Sequence, residues 1–144
     1  MNPWTYKTKP VEIPPDGAIG FTYLITNELS GKQYIGKKSL ISHRTKKVAG
    51  RKNRKHTISE SDWRSYFGSN EFLIEDRDRD GAENFYREIL NWYFSKKALT
   101  YAEVEEQFKR NVLSAKLSNG TPAYYNRNIL GKFYPDKLDN PTEV

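Results

Sequence analysis

The chain has 144 residues, no cysteine and a net charge of +6. Its length is typical of a single domain, and the lack of cysteine excludes a disulfide scaffold and any cysteine-ligated zinc site. The sequence has no apolar run of about 18 residues and no signal-peptide core. We therefore expect a soluble protein with no membrane partner, in a reducing, cytoplasmic compartment.

The first elements are predicted to be an extended arm followed by a β-hairpin. Residues 1–20 contain four prolines and end in a Pro15-Asp16-Gly17 turn signal, which favours an extended arm. Residues 21–26 alternate aromatic, β-branched and apolar side chains, as strands do. Residues 27–32 supply Asn, Ser and Gly for a turn, so we expect residues 33–36 to form the return strand.

Three short helices are predicted in the middle of the chain. The first could cover residues 39–47. Residues 59–62, Ser-Glu-Ser-Asp, are typical of an N-terminal cap and predict a second helix over residues 63–67, closed by Gly68. A third helix is expected over residues 70–80, where it meets another glycine.

The last elements are a strand and the longest helix. Residues 84–93 predict a third strand, buried and central. The helix is expected to begin at Ser95 or Thr100 and to continue to about residue 117, with apolar residues at helical spacing. After a Gly- and Pro-containing break, residues 124–129 are expected to return to the core.

Together these elements predict a small α/β (α+β) domain, in which a three-stranded antiparallel sheet is packed by helices. We expect the arm at residues 1–20, the domain at 21–130 with a basic insertion at about 44–58, and a tail at 131–144. The sequence shows no internal repeat and no second domain.

Most of the positive charge lies in one segment. Residues 37–56 contain nine of the 24 Lys and Arg residues and no Asp or Glu, so the other 15 cations face 18 acidic groups and leave a charge of −3. Such a run is typical of a surface that binds a polyanion, although a solvated loop is the alternative. The candidate DNA-binding residues are Lys37, Lys38, Lys46, Lys47, Arg51, Lys52, Arg54 and Lys55.

Two tyrosines on the predicted hairpin, Tyr23 and Tyr34, adjoin this basic run. Phosphodiester hydrolysis requires an activated water, a cation near the developing charge and help for the leaving oxygen. Phenols, nearby cations and the acidic residues of the long helix can supply these functions; the acidic residues are Glu103, Glu105 and Glu106. His43 and His56 are the only histidines, which excludes the His-rich metal motif of other small nucleases.

The hairpin resembles that of the GIY-YIG nuclease family. The resemblance rests on the Ile-Thr-Asn that follows Tyr23 at residues 25–27 and on the Tyr-Ile-Gly at residues 34–36. By this resemblance Tyr23 and Tyr34 are the family's two tyrosines. The first triplet, Phe21-Thr22-Tyr23, departs from Gly-Ile-Tyr and keeps only the tyrosine.

Three further candidates follow from the same resemblance, which covers about residues 21–129. Arg44 lies ten residues beyond Tyr34, as the family's arginine does. Leu-x-x-x-Glu at residues 99–103 is similar to the entry of the family's metal-binding helix and selects Glu103. Tyr125-Asn126 is similar to a late Tyr-Asn element, which makes Asn126 the fifth candidate.

The resemblance implies an endonuclease that requires Mg²⁺ (or Mn²⁺) and cuts double-stranded DNA, as a monomer or homodimer of the stand-alone, phage-type or restriction-like kind. It implies that Glu103 holds the metal and that Arg44 clamps the phosphate. Tyr23 would be the general base or would orient the water, with its phenol pKa lowered by metal-bound water and nearby cations. Tyr34 would assist the water or the phosphate.

Each candidate also has a simpler interpretation. Glu103 could belong to a capping box that begins at Thr100, unless the helix begins at Ser95. The two tyrosines could be ordinary sheet residues, Arg44 a solvated cation and Asn126 a turn residue. For the whole protein, the alternatives are a catalytically inactive nucleic-acid-binding module and a regulatory protein that retains the fold.

Overall fold

The computed structural model describes residues 2–50, 52 and 55–138. Two of the predicted DNA-binding residues, Arg51 and Arg54, lie outside the described residues, as do the side chains of Lys46 and Lys55. The strands are β1 (Thr5–Tyr6), β2 (Lys9–Pro10), β3 (Gly20–Asn27), β4 (Gln33–Ser39), β5 (Ile41–Lys46), β6 (Lys55–Glu60) and β7 (Phe85–Tyr93). The helices are α1 (Glu71–Asp80) and α2 (Lys96–Lys109), with 3-10 turns at Trp63–Ser65, Ala82–Asn84 and Pro135–Lys137.

The main sheet has five strands in the order β2-β1-β7-β3-β4. The three predicted strands are its antiparallel part, β7-β3-β4, and β7 lies at the centre as expected. The prediction of only three strands is wrong, because the N-terminal segment pairs with the second edge of β7. Thr5 lies parallel beside Glu88, and Trp4 is buried next to it.

Both faces of β3 are covered, which is why seven of its eight residues are buried. One face contributes Phe21, Tyr23 and Ile25 to a core rich in aromatic residues. The other face contributes Leu24 to a smaller apolar cluster that includes residues following α2. The α+β class predicted from the sequence is therefore consistent with the observed layers.

A separate two-stranded ribbon is formed by β5 and β6. The prediction of a short helix over residues 39–47 is wrong. The segment instead pairs in antiparallel register from Ile41 opposite Glu60 to Lys46 opposite Lys55. The predicted cap at residues 59–62 is also wrong in part, since Ser59 and Glu60 belong to β6. Cross-strand pairing with residues 55–60 decides this conformation, and the side-chain pattern of residues 39–47 alone does not report it.

The two helices begin where the sequence indicates. Asn70 caps α1 by accepting hydrogen bonds from two backbone amides, and Gly81 ends it at φ +99°. Ser95 caps α2, which excludes Thr100 as its first residue. This helix ends at Lys109, earlier than predicted. Among the residues that the structure describes, no helix is long and apolar enough to cross a membrane.

Candidate active site

A cavity of about 310 Å³ lies beside β4, the edge strand of the main sheet. Residues 123–126 bond to this edge, since the Gln33 amide donates to the Ala123 carbonyl and the Tyr125 amide donates to the Gln33 carbonyl. The cavity is lined by Tyr34, Ser69, Asn70, Glu103, Gln107, Asn126, Arg127, Asn128 and Leu130. Three of the five predicted site residues, Tyr34, Glu103 and Asn126, therefore meet at one place although they are far apart in sequence.

The two predicted tyrosines are diagonal neighbours across β3 and β4. Tyr23 lies opposite Gly36 and Tyr34 lies opposite Ile25, and the two ring centroids are 6.1 Å apart. The missing side chain of Gly36 explains the Tyr-Ile-Gly motif, because a Cβ there would overlap the Tyr23 hydroxyl. Tyr34 reaches the cavity, whereas Tyr23 is buried behind it.

A third tyrosine, Tyr66, extends this pair and was not selected from the sequence. Its ring centroid is 6.1 Å from that of Tyr23, and the Lys38 ammonium lies 4.1 Å from its ring centroid. Next to it, Gly68 adopts φ +85° and packs against both predicted tyrosines. The signal in the sequence is the run Trp63-x-x-Tyr66-x-Gly68, in which Trp63 and the intervening Phe67 are buried core residues.

The surroundings of the tyrosines keep them neutral. Burial raises the pKa of Tyr23 well above its ordinary value, and Tyr34, Tyr66 and Glu103 raise it further. Burial also raises the pKa of Tyr34, partly offset by the Ser69 hydroxyl. In the protein alone, the low-dielectric core and the nearby acidic groups thus disfavour the phenolate of Tyr23. The lowering of this pKa by metal-bound water stays a prediction.

Glu103 lies inside α2, two turns after its cap, so it is not part of a capping box. Thr100 instead accepts a hydrogen bond from the Lys37 ammonium at 2.8 Å. Burial raises the pKa of Glu103, while the charge and the backbone amide of Lys37 act in the opposite direction. Of the two neighbouring glutamates, Glu105 is exposed and Glu106 pairs with Arg110. Glu103, the glutamate chosen by the family resemblance, is thus the one glutamate of this helix that lines the cavity.

Asn126 is buried and fastens the cavity wall to β4. Its Oδ1 accepts from the Ile35 amide at 3.1 Å, and its Nδ2 donates to the Ile35 carbonyl at 2.9 Å. These two hydrogen bonds satisfy the backbone amide and carbonyl of Ile35, which in the described part of the chain have no partner strand on the outer side of β4. The side chain therefore holds the backbone next to Gly36 and Lys37 in place, which is more than the turn residue considered as the alternative.

Two further residues of the cavity are not among the site residues predicted from the sequence. Gln107 is buried one helical turn after Glu103, so their i, i+4 spacing could have revealed it. Arg127 follows Asn126 directly, and its guanidinium carbon lies 4.5 Å from the centroid of the Phe72 ring. Arg127 is the only cationic side chain among the residues that line the cavity.

Arg44 does not line this cavity. It is exposed on β5, where it borders a separate depression of about 490 Å³ together with Lys38, Asp62 and other polar residues. The Lys38 ammonium bonds to Asp62 at 2.6 Å. Of the remaining predicted DNA-binding residues, Lys37, Lys47 and Lys52 are exposed. The structure thus separates the predicted arginine from the predicted glutamate.

The donor groups of the cavity fit a hard divalent cation. Within residues 2–50, 52 and 55–138, no group of three or more His, Cys, Asp or Glu side chains could form a fully proteinaceous metal site. The cavity offers one carboxylate, Glu103, and the side-chain amide of Gln107, whereas the side-chain oxygens of Asn70 and Asn128 already accept hydrogen bonds from backbone amides. Mg²⁺ keeps several of its waters and commonly takes only one or two carboxylates beside substrate phosphates, so this sparse donor set is compatible with that ion.

Comparison with known proteins identifies the class. The sequence model of a family described as "Putative endonuclease segE, GIY-YIG domain" matches residues 4–129. The chain is also 28% identical over 121 residues to "Putative endonuclease segB" of Enterobacteria phage T4. That match covers 84% of this chain and 43% of the relative, so the chain spans less than half of the relative's length. No solved structure matches the chain significantly.

The family match extends over most of the chain, including the two-tyrosine hairpin and the helix that carries Glu103. The chain belongs to the SegE-type GIY-YIG family, which confirms the family inferred from its hairpin.

Proposed function

We propose that the protein is a metal-dependent endonuclease that hydrolyses phosphodiester bonds in double-stranded DNA. The observation that carries this proposal is the position of Glu103 and Tyr34 in one cavity. Family membership supports a nuclease, and the Lys- and Arg-rich segment at residues 37–56 supports a polyanionic substrate.

Within the cavity, Glu103 would hold Mg²⁺ or Mn²⁺, with the Gln107 amide as a further oxygen donor. When bound, the cation would supply positive charge next to the scissile phosphate. The Tyr34 hydroxyl would accept a hydrogen bond from the attacking water, and Tyr23 would support it from behind. Because the pKa values of both phenols are raised, we assign them an orienting role and not that of a phenolate base.

We further propose that Arg127 contacts the scissile phosphate. Arg127 lines the cavity that contains Glu103 and Tyr34, whereas Arg44 borders a different depression. A guanidinium donates two parallel hydrogen bonds to phosphate oxygens, and stacking on Phe72 restricts the orientations of the Arg127 side chain.

Arg127→Gln is expected to lower the cleavage rate at saturating DNA by about 10²-fold, because a preorganised donor to the reacting phosphate is lost. Arg44→Gln is expected to weaken DNA binding more than it lowers this rate. Arg79→Gln, an exposed change on α1 away from the cavity, is the matched control. If Arg44→Gln lowers the saturated rate and Arg127→Gln does not, Arg44 has the role implied by the family resemblance.

A plasmid assay tests the function as a whole. The purified protein is expected to convert supercoiled DNA to relaxed or linear product with Mg²⁺ and to leave it intact with EDTA. A single active site cuts one strand, so relaxed circles are expected first. Intact plasmid with Mg²⁺ and with Mn²⁺, at concentrations where the protein binds DNA, would instead support the catalytically inactive binding module.

A further inference from the structure

The β5–β6 ribbon projects from the body at a fixed base. Leu40, between β4 and β5, is buried, and its amide donates to the Ile19 carbonyl at 2.8 Å. At the other end, the Ser61 amide donates to the Leu40 carbonyl at 3.0 Å. Within the part of the chain that the structure describes, no third strand pairs with the ribbon. Leu40 therefore joins the base of the ribbon directly to β4, the strand that carries Tyr34.

The register divides the ribbon into two unlike faces, because residues directly opposite each other in an antiparallel pair share a face. One face has the pairs Ser42–Ser59, Arg44–Thr57 and Lys46–Lys55. We call it the Arg44 face, and all six of its positions are Ser, Thr, Arg or Lys. The opposite face has the pairs Ile41–Glu60, His43–Ile58 and Thr45–His56.

The two faces also differ in their surroundings. Arg44 borders the depression that contains Lys38, and Lys38 lies over the ring of Tyr66 next to Tyr23. The Arg44 face thus borders Lys38, which contacts the tyrosine cluster behind the candidate active site. On the opposite face, Ile41 and Ile58 border a depression formed with Pro14 and Pro15 of the N-terminal segment.

The charge of the ribbon favours a polyanion. Its register places the positions of Arg44, Lys46 and Lys55 on one face, and Arg44 is exposed there. The two carboxylates at the base are already paired, Asp62 with Lys38 and Glu60 with Arg64. These carboxylates would therefore compete little with DNA phosphates for the cationic side chains of the ribbon.

The dimensions and side-chain types match a DNA groove. At about 3.4 Å per residue, six paired positions extend roughly 20 Å, and the B-DNA major groove, about 12 Å wide, admits a two-stranded ribbon. An arginine can read guanine with two hydrogen bonds, while Ser and Thr can bond to several bases. Arg44, Thr57 and Ser59 are exposed and available for such contacts.

We propose that the Arg44 face of the ribbon enters the DNA major groove and reads base edges, so that the ribbon sets the sequence at which the protein cuts. This inference rests on the proposed function in taking duplex DNA as the substrate. It adds a recognition surface outside the catalytic cavity, with roles for Arg44 and Thr57 beyond attraction of phosphates.

A binding selection from randomised duplex DNA, performed in EDTA, tests the ribbon independently of cleavage. The wild-type protein is expected to enrich a sequence motif. Arg44→Gln and Thr57→Val should each reduce the preference at one or two base positions by about 5-fold or more. Thr45→Val is the matched control, because it makes the same exchange on the opposite face, and it should keep the motif. Valine retains β-branching, so both threonine variants should preserve the strands.

A second measurement identifies the groove. Replacing guanines of the selected motif with 7-deazaguanine removes the N7 acceptor from the major groove. This change should weaken binding by the wild-type protein about 5-fold or more and affect Arg44→Gln much less.

Two results would overturn the proposal. One is that the wild-type protein enriches no motif. The other is that Arg44→Gln and Thr57→Val weaken binding to all sequences equally and keep the motif, which would limit the ribbon to phosphate contacts. If the protein selects a motif but does not cleave plasmid, the nuclease function is refuted and base recognition by the ribbon stands. If it cleaves plasmid but selects no motif, base recognition is refuted and the nuclease function stands.

Discussion

Glu103→Gln is expected to abolish metal-dependent cleavage while leaving DNA binding nearly unchanged. Among the residues that the structure describes, Glu103 is the only carboxylate that lines the cavity, so the amide would remove the charged ligand for the cation and keep the shape of the wall. Loss of product in the plasmid assay, together with an unchanged gel-shift affinity in EDTA, would meet this expectation. Glu105→Gln, at an exposed position of the same helix, is the matched control and should cleave normally.

The same variant makes a distinct prediction for stability. Burial raises the pKa of Glu103 above its ordinary value of 4.5, so the folded state holds this proton more tightly than the unfolded chain. As pH rises from 4.5 through the higher folded pKa, wild-type stability falls relative to that of the glutamine variant. We therefore expect Glu103→Gln to have an equal or higher Tm at neutral pH, with an advantage that disappears on acidification.

These readouts separate catalysis from structure. A capping residue would lose about 0.5–2 kcal/mol of stability on substitution and would retain activity. A Glu103→Gln protein that cleaves at the wild-type rate would remove Glu103 from the site, whatever its Tm.

Tyr34→Phe and Tyr23→Phe are each expected to lower the cleavage rate by about 10²-fold, the loss typical of a misplaced reacting group. Phenylalanine keeps the ring packing across β3 and β4, so the loss would come from the hydroxyl that orients water or phosphate. Single-turnover rates at saturating DNA measure this effect without a contribution from binding.

Tyr101→Phe is the control for the tyrosine variants, because Tyr101 is 70% exposed on α2 and does not line the cavity. It should cleave at the wild-type rate. Wild-type rates for both Tyr34→Phe and Tyr23→Phe, with unchanged thermal stability, would contradict a tyrosine mechanism and support the interpretation as sheet residues.

The sequence by itself determined the elements whose signals are local. The turn between β3 and β4, the start of α1 near Asn70 and its stop at Gly81 depend on side chains within a few residues of one another. The tyrosine pair follows from the alternation of side chains along two adjacent strands. Glu103 was identified because a short motif before it resembles a family signature.

Only the tertiary structure decided what depends on distant partners. Residues 41–46 form a strand because residues 55–60 pair with them, and Thr5–Tyr6 joins the sheet because β7 has a free edge. The direction of the Tyr23 pKa shift depends on burial and on groups from three other parts of the chain. In the same way, Arg127 lies in the cavity and Arg44 outside it because chain folding, and not spacing along the sequence, determines which charges meet.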